Sequence, residues 1–213
     1  MFFLFLSMKK FLFLFLVYSS CFSQIKTTVV KTTDIPKSII YKGTVITALR
    51  YTDNLGDNLF IATETGITDD AKIEGEPNTD SAELFAYHYI IKNGTWQLNW
   101  KVYDFIKQCP VDVVTKYVKN TFTVTDLNND KTAEVWLMYK LACHSDLSPC
   151  DMKILMYENG KKHAVRGENR IYAGGTTYFG GEYTLDTVFK QGPKQFRDYA
   201  VKLWKKHMNQ EEE

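Results

Sequence analysis

Apolar and polar residues alternate along most of the chain, and this alternation predicts antiparallel strands that bury one face. The segment 96–105 is the clearest example, because apolar residues stand at every second position from Trp96 to Val102, with Gln, Asn and Lys between them. Two Asn-Gly pairs, Asn93-Gly94 and Asn159-Gly160, each separate two such segments and predict tight hairpins. The pattern therefore predicts a sheet in which strands that are neighbours in sequence pair with each other.

Three other segments do not show this simple alternation. Residues 111–119 fit either a short helix or a strand, and residues 64–82, in which Gly and Pro stand among Asp, Glu and Thr, are expected to form a polar loop. Residues 133–141 are apolar on both faces and are expected to lie in the middle of a sheet. The predicted strands are 44–52, 58–65, 83–91, 96–105, 121–125, 133–141, 153–157 and 161–166.

The C-terminal segment has a different period. After Gly192-Pro193, apolar residues recur at the spacing of an α-helix, with Lys and Arg on the other side. This pattern predicts a helix over residues 193–208 whose aromatic stripe packs on the sheet, and a helix lying on a membrane surface is the alternative. We therefore expect an all-β, β-dominated fold of about eight to ten antiparallel strands with one C-terminal α-helix, arranged as a meander, a propeller-like array or a sandwich.

Composition narrows the class of protein without naming it. Aromatic residues make up 15% of the chain, a share that favours strands. Lys and Arg number 26 against 25 Asp and Glu, so the chain has no basic excess of the kind that binds nucleic acid. We expect no nucleic-acid partner.

The first residues have the organisation of a secretion signal. Lys9-Lys10 precede the apolar run 11–17, and small residues follow up to Ser23. The run is too short to span a bilayer, so we expect a signal peptide over residues 1–23 that is removed. The mature protein, residues 24–213, is then a single exported domain without a transmembrane helix, in the periplasm or at the cell surface. Lipidation at Cys21 is the alternative.

Export permits disulfides, and three cysteines remain in the mature chain: Cys109, Cys143 and Cys150. An odd number allows at most one internal bridge and leaves one thiol over. We expect Cys143 to pair with either Cys150 or Cys109.

The loop of residues 126–134 carries the clearest candidate chemistry. Oxygen atoms at its first, third, fifth and ninth positions, with a carbonyl from the seventh, can converge on a hard cation such as Ca²⁺. The alternative is a turn whose carboxylates accept hydrogen bonds from backbone N–H groups. The candidate ligands are Asp126, Asn128, Asp130, the carbonyl of Thr132, and Glu134.

This loop, together with the strands on either side, resembles the D-x-N-x-D-G-x-x-D/E calcium loop of the FG-GAP and VCBS-type β-repeats. It departs from that pattern at the sixth position, where Lys131 stands in place of Gly. That position favours a positive φ, which costs a non-glycine residue about 1 kcal/mol. The resemblance implies a structural calcium ion that braces the connection between two strands.

A longer part of the chain, from Thr44 to Trp204, resembles a family of secreted bacterial envelope proteins labelled surface polysaccharide biosynthesis. The resemblance implies a location in the cell envelope, and it supplies no catalytic residues. The stretches that carry it are 126–140, Cys143 with 146–149, 152–167 and 196–204.

Four aromatic residues lie among glycines, where a core strand is not expected, and they are the candidates for ligand binding: Tyr172, Tyr178, Phe179 and Tyr183. Exposed rings of this kind could stack on sugars. We therefore expect a non-enzymatic, exported cell-envelope module with a structural calcium loop. Its expected partners are a surface polysaccharide or an envelope protein.

Two other functions stay open. A carbohydrate-active hydrolase would need paired carboxylates in one cleft, and Asp104, Asp112 and Glu134 are the candidates. A periplasmic protein-binding or inhibitor module would present the aromatic loop 174–183 to its partner. His88, on an apolar strand face, is expected to be a hydrogen-bonded core residue in either case.

Overall fold

The structure is a computed structural model that describes residues 25–72 and 74–209. The expected signal peptide, its cleavage after Ser23 and the alternative lipidation at Cys21 fall outside the described residues. Among the described residues, no helix combines the length and the apolar character needed to cross a bilayer.

The described residues form thirteen strands and two α-helices, and a single 3₁₀ turn, Thr32–Asp34, follows the first strand. Nearly all of the sheet is built from hairpins between successive strands. The elements are β1 (Thr27–Val29), β2 (Thr44–Asp53), β3 (Gly56–Asp69), β4 (Asp80–Lys92), β5 (Thr95–Cys109), β6 (Val113–Tyr117), β7 (Thr123–Thr125), β8 (Glu134–Cys143), β9 (Asp151–Glu158), β10 (Lys161–Glu168), β11 (Arg170–Gly174), β12 (Thr177–Gly180), β13 (Tyr183–Leu185), α1 (Thr187–Gln191) and α2 (Lys194–His207).

The strands belong to two antiparallel sheets and one separate hairpin. The first sheet has the order β1-β2-β3-β4-β5, and the second has the order β13-β10-β9-β8-β6, with β7 also paired to β8. Strands β11 and β12 pair only with each other. The predicted β-dominated, antiparallel fold with a C-terminal helix is confirmed. The two sheets form a sandwich, and the first of them is a meander of five successive strands.

The two Asn-Gly hairpins form as predicted. Asn93 and Gly94 both have positive φ angles, 53° and 75°, and they connect β4 to β5. Asn159 and Gly160, with φ angles of 47° and 75°, connect β9 to β10. Two successive positive φ angles match the twist of the flanking strands, which is why this residue pair is favoured there.

The core lies between the facing surfaces of the two sheets. Phe60, Leu84 and Trp100 from the first sheet pack in one cluster with Leu137 and Leu155 from the second. The single buried face predicted for residues 96–102 is wrong, because a bulge between Leu98 and Trp100 shifts the register of β5 against β4. Trp100 and Val102 pack in the sandwich core, whereas Trp96 packs in a separate cluster on the other face of the sheet and Leu98 is 50% exposed.

The second sheet is covered on its other face by the helices. Trp136 and Met156 on this face pack with Phe189 of α1 and with Phe196 and Trp204 of α2. Because β8 contributes Trp136 to this cluster and its neighbouring residue to the sandwich core, it is apolar on both faces, as predicted for a central strand. The predicted helix over 193–208 is observed as α2, and its aromatic stripe packs on the sheet.

The strands are more numerous and longer than the sequence pattern predicts. The prediction of a loop over 64–82 is wrong at both ends, because β3 continues to Asp69 and β4 begins at Asp80. A bulge between Glu64 and Ile67 shifts the register there, and the Oγ1 of Thr68 donates a hydrogen bond to the carbonyl of Ser81. Polar side chains that bond across the strands thus replace the alternating pattern in this part of the sheet.

Short elements account for the rest of the difference. Strands β1 and β13 have three residues each, too few for a period to be recognised, whereas the equally short β7 lies within the predicted strand 121–125. The ambiguous segment 111–119 contains strand β6 at the edge of the second sheet. Helix α1 was also not predicted; it is five residues long, and the side chain of Asp186 caps it by accepting a hydrogen bond from the Phe189 N–H.

Candidate functional site

The β11–β12 hairpin brings aromatic side chains together on an exposed surface. Tyr172 and Tyr178 are directly opposite each other in the antiparallel pairing, and their ring centroids are 5.4 Å apart. They are 60% and 53% exposed. The guanidinium of Arg170 lies 4.7 Å from the centroid of the Tyr178 ring, at a cation–π distance. We call Arg170, Tyr172 and Tyr178 the hairpin platform.

The other two predicted ligand-binding residues lie elsewhere. Phe179 is half exposed but is opposite Ile171, one position along the strand, and therefore on the other face of the hairpin. Tyr183 pairs with Gly167 in the second sheet, and its ring packs on Trp204. The sequence suggested one group of four aromatic residues, because they lie close together among glycines. In the structure, strand alternation separates Phe179 from the Tyr172–Tyr178 pair, and a turn separates Tyr183 from it.

The hairpin is anchored to the body of the protein at its base. The N–H of Arg170 donates to the carbonyl of Met208, and its Nε donates to Oδ1 of Asn209 at 3.0 Å. The indole N–H of Trp204 donates to the carbonyl of Gly181 at 3.0 Å. At Gly180, with φ of 69°, a Cβ atom would lie 2.2 Å from the carbonyl oxygen of Asn169, so this turn requires glycine. These contacts fix the platform next to the C-terminal end of α2.

The loop of residues 126–134 is folded around its own acidic side chains. Both Glu134 oxygens accept the Leu127 N–H, and one also accepts the hydroxyl of Thr125. Oδ2 of Asp126 accepts the N–H of Lys131 at 3.2 Å, and Oδ1 of Asp130 accepts the N–H of Thr132 at 2.7 Å. This is the hydrogen bonding of a turn stabilised by Asp, Asn and Glu side chains.

The sixth position of this loop has the backbone conformation that the resemblance to FG-GAP and VCBS-type loops implied. Lys131 has a φ of 66° in the left-handed region, where glycine would be unstrained. Its carbonyl accepts the N–H of Asn54 at 2.9 Å, and the N–H of Ala133 donates to Oδ2 of Asp53 at 3.0 Å. The loop therefore contacts the β2–β3 turn and joins the two sheets at one end of the sandwich.

A fourth acidic residue adjoins the loop. Glu158 of β9 is the register partner of Glu134, and it accepts a hydrogen bond from Nδ2 of Asn128. Burial, with smaller contributions from the nearby Glu158 and Asp126, raises the pKa of Glu134 to about 7. The pKa of Glu158 is also raised, by burial and by Asp130. Only the strand pairing reveals Glu158, which has no place in the loop motif.

A cation would bind this loop most readily through oxygen atoms that are not already used in hydrogen bonds. Most of the side-chain oxygens of the loop already accept hydrogen bonds from the chain, and the described residues contain no group of three or more His, Cys, Asp or Glu placed to hold a metal ion. Oδ1 of Asp126 is the exception, because it is buried without a hydrogen-bond partner and its residue is only 4% exposed. A buried carboxylate oxygen with no donor is the kind of atom that a cation would satisfy.

The carboxylates considered for hydrolysis have separate environments. Asp104 accepts hydrogen bonds from the hydroxyl of Tyr139 and from Nζ of Lys153. Glu134 is enclosed in the acidic loop, and Asp112 is exposed after β5. Among residues 25–72 and 74–209, these three carboxyl groups share no hydrogen-bond partner.

The remaining residues singled out from the sequence are the cysteines and His88. Cys109 at the end of β5 and Cys143 at the end of β8 form a disulfide, which resolves the two predicted alternatives, and Cys150 is a free, partly buried thiol. His88 is buried and lies within 2.8 Å of the Tyr51 hydroxyl and 3.3 Å of Nδ2 of Asn99. It is thus a hydrogen-bonded core histidine, as predicted.

Comparison of the sequence with known protein families and with characterised proteins, and of the fold with solved structures, gave no match. The two resemblances described above therefore remain predictions, and the functional argument depends on the geometry of this chain.

Proposed function

We propose that this protein is an exported, non-enzymatic module of the cell envelope that binds a surface glycan through the hairpin platform. The observation that carries the proposal is the exposed Tyr172–Tyr178 pair, held on a hairpin whose base is hydrogen-bonded to the end of α2. Neither ring packs in the core, so neither has a structural role there and both rings are available to a ligand.

The chemistry of the platform suits a sugar. A tyrosine ring offers an apolar face on which the C–H face of a pyranose can stack, and its hydroxyl offers a hydrogen bond at the edge. Arg170 adds several N–H donors for sugar hydroxyls. Because the hairpin is short and anchored, these groups lose little conformational freedom when a ligand binds.

The hairpin also favours binding over catalysis. Residues 170–180 contain no Asp, Glu or His, so the platform has no side chain that could act as the general acid of a glycosidase. A protein partner would also contact the rings, and it is the alternative that the experiment must distinguish.

The test is native gel electrophoresis of the mature protein through gels that contain a soluble polysaccharide, one neutral (dextran) and one acidic (alginate). We expect retardation by at least one polymer and its loss in the double variant Y172A/Y178A, because each stacked ring contributes about 1 kcal/mol or more. Phe105→Ala removes a comparably exposed ring from the first sheet and is the matched control. Mobility unaffected by either polymer, or equal retardation of the double variant, would contradict the proposal.

A second proposal concerns the acidic loop. We propose that Ca²⁺ braces residues 126–134, with Asp126, Asn128, Asp130, Glu134 and the Thr132 carbonyl as its ligands. The unpartnered Oδ1 of Asp126 supports it. A cation would also offset the burial of Glu134 and Glu158, which is the main cause of their raised pKa values, and the smaller repulsion from neighbouring carboxylates. When bound, the ion supplies charge neutralisation and no chemistry.

Thermal unfolding in EDTA, in Ca²⁺ and in Mg²⁺ tests the brace. Calcium alone is expected to raise the midpoint by about 5 °C or more at saturation. Asp126→Asn, which keeps the size of the side chain but removes its charge, should abolish the increase, whereas Asp146→Asn at an exposed site should retain it. If neither ion changes the midpoint, the loop is an Asx-stabilised turn that needs no metal.

A further inference from the structure

The outer surface of the two C-terminal helices is basic, although the chain as a whole is nearly neutral. Between Thr187 and His207 there are six Lys and Arg residues and a single acidic residue, Asp198. All six are at least partly exposed. We call this set the basic helix face: Lys190, Lys194, Arg197, Lys202, Lys205 and Lys206.

Most of this charge is uncompensated within the described residues. Lys194 pairs with Asp198 one turn along the helix, and Arg197 donates to carbonyl oxygens at the end of α1, including that of Gly192. No acidic partner among residues 25–72 and 74–209 lies within ion-pair distance of Lys202, Lys205 or Lys206. Their positive charge is therefore directed to solvent.

A groove runs along this face. It has a volume of about 520 Å³, and its lining combines apolar and cationic side chains: Leu185 and Val201 with Arg197, Lys202 and Lys205, and with Asp198 at one side. This size is within the range of small-ligand sites, and the mixture of apolar walls and cations suits a ligand that carries both C–H surface and negative charge.

The helix itself is not built to enter a bilayer. Its apolar residues Phe196, Ala200, Leu203 and Trp204 are all buried against the second sheet. A helix that lies in a membrane surface must insert its apolar face, and in α2 that face is occupied by the sheet. A membrane could therefore attract α2 only through its lysines, which would interact with anionic headgroups.

The basic helix face and the hairpin platform adjoin each other. Met208 and Asn209, which directly follow α2, are the residues that bond Arg170 at the base of the hairpin. The last-turn lysines, Lys205 and Lys206, are therefore at the end of α2 to which the base of the hairpin is hydrogen-bonded. A chain-like ligand that stacks on the rings can continue along the lysines.

From this arrangement we infer that the ligand is an anionic polysaccharide, with carboxylate or phosphate groups on its repeating units, which stacks on the hairpin platform and is attracted by Lys202, Lys205 and Lys206. The inference rests on the proposed function and adds the chemical class of the glycan. Exposed lysines of this kind raise the rate of association and make binding depend on salt.

The experiment compares two variants of equal charge, each in the full chain, so that the three glutamates at 211–213 are present in both. One is K202Q/K205Q/K206Q, and its control is K26Q/K31Q/K37Q, which neutralises three exposed lysines at the other end of the chain. The probes are alginate, dextran, and vesicles of phosphatidylcholine with or without phosphatidylglycerol.

We expect the protein to bind alginate about tenfold more tightly than dextran at low salt, with the difference shrinking as salt is added. The helix variant should lose about fivefold or more of its alginate affinity, and the control variant should lose little. Equal binding of dextran and alginate, or equal behaviour of the two variants, overturns the inference and leaves the proposed function intact.

Two further outcomes of this experiment are possible, and each leads to a different conclusion. Binding to phosphatidylglycerol vesicles that depends on the same lysines, without retention by alginate, identifies a membrane surface as the partner and overturns the inference. Failure to bind either polymer contradicts the proposed function itself, and the inference is overturned with it.

Discussion

His88 shows how one buried residue can make the stability of this protein depend on pH. Its ring is stacked on Trp100, with centroids 5.1 Å apart, and its nitrogens contact Tyr51 and Asn99. Burial lowers its pKa to about 4. An unfolded histidine has a pKa of about 6.5, so the unfolded chain takes up this proton first when the pH falls.

The free energy of unfolding should therefore decrease between about pH 6.5 and pH 4, by up to about 3 kcal/mol from this residue. Glu134 has the opposite effect, because its raised pKa makes its contribution disappear as the pH rises through about 7. Urea denaturation of the wild type and of His88→Gln across this range isolates the histidine, and the variant should show the flatter profile. His144→Gln, outside the core, is the control, and identical profiles for wild type and His88→Gln would refute the assignment.

Lys131 offers a second prediction for a single residue. It adopts a φ of 66°, its N–H donates to the carboxylate of Asp126, and its carbonyl accepts the N–H of Asn54. Both bonds use only the backbone of residue 131, so glycine can replace lysine without breaking either. We expect Lys131→Gly to stabilise the protein by up to about 1 kcal/mol in urea denaturation, because the left-handed conformation no longer strains a side chain. Lys131→Ala retains the strain and should give no such increase; stabilisation by both variants would point to charge instead.

Among the elements, β5 and β8 are joined covalently. The Cys109–Cys143 disulfide closes a sequence separation of 34 residues and connects the first sheet to the second. Loop-closure entropy for this length predicts a loss of about 3–4 kcal/mol when the bridge is removed. Urea denaturation of C109A/C143A measures the loss, and Cys150→Ala, which removes the free thiol, should have a much smaller effect. Equal effects of the two variants would mean that the bridge contributes little.

The elements also show which features a single sequence reveals. The Asn-Gly hairpins and α2 were predictable, because a turn and an amphipathic helix are encoded by residues close together in the chain. Strands β1 and β13, of three residues each, and the polar ends of β3 and β4 were not predictable, since their pairing depends on cross-strand hydrogen bonds.

The candidate sites also contain some features that the sequence predicts and others that depend on the fold. The aromatic residues of the hairpin were recognisable from their place among glycines, but their separation onto two faces follows from the register Tyr172–Tyr178. Glu158 reaches the acidic loop only because β9 pairs with β8. The basic helix face was visible in the sequence, but its position beside the hairpin depends on the contact between Arg170 and Met208.

At the scale of the whole molecule, the second sheet is the middle layer of three. Neighbouring residues of β8 point in opposite directions, so that Leu137 packs in the sandwich core and Trp136 packs against the helices. A strand that belongs to two cores cannot lose one of them without exposing apolar surface in the other. We therefore expect the sheets and the C-terminal helices to unfold together as one domain.

Phe196→Ala tests this expectation, because Phe196 is fully buried between α2 and the second sheet. The cavity should cost about 3–5 kcal/mol, with the midpoints of far-UV circular dichroism and of tryptophan fluorescence shifting together. Leu147→Ala, at a side chain that is 75% exposed, should change the free energy of unfolding by less than about 0.5 kcal/mol. Two separate transitions in Phe196→Ala would show instead that the helices are an independent layer. The basic helix face could then move relative to the hairpin platform, whereas a single transition means that the two surfaces reach a ligand in one fixed arrangement.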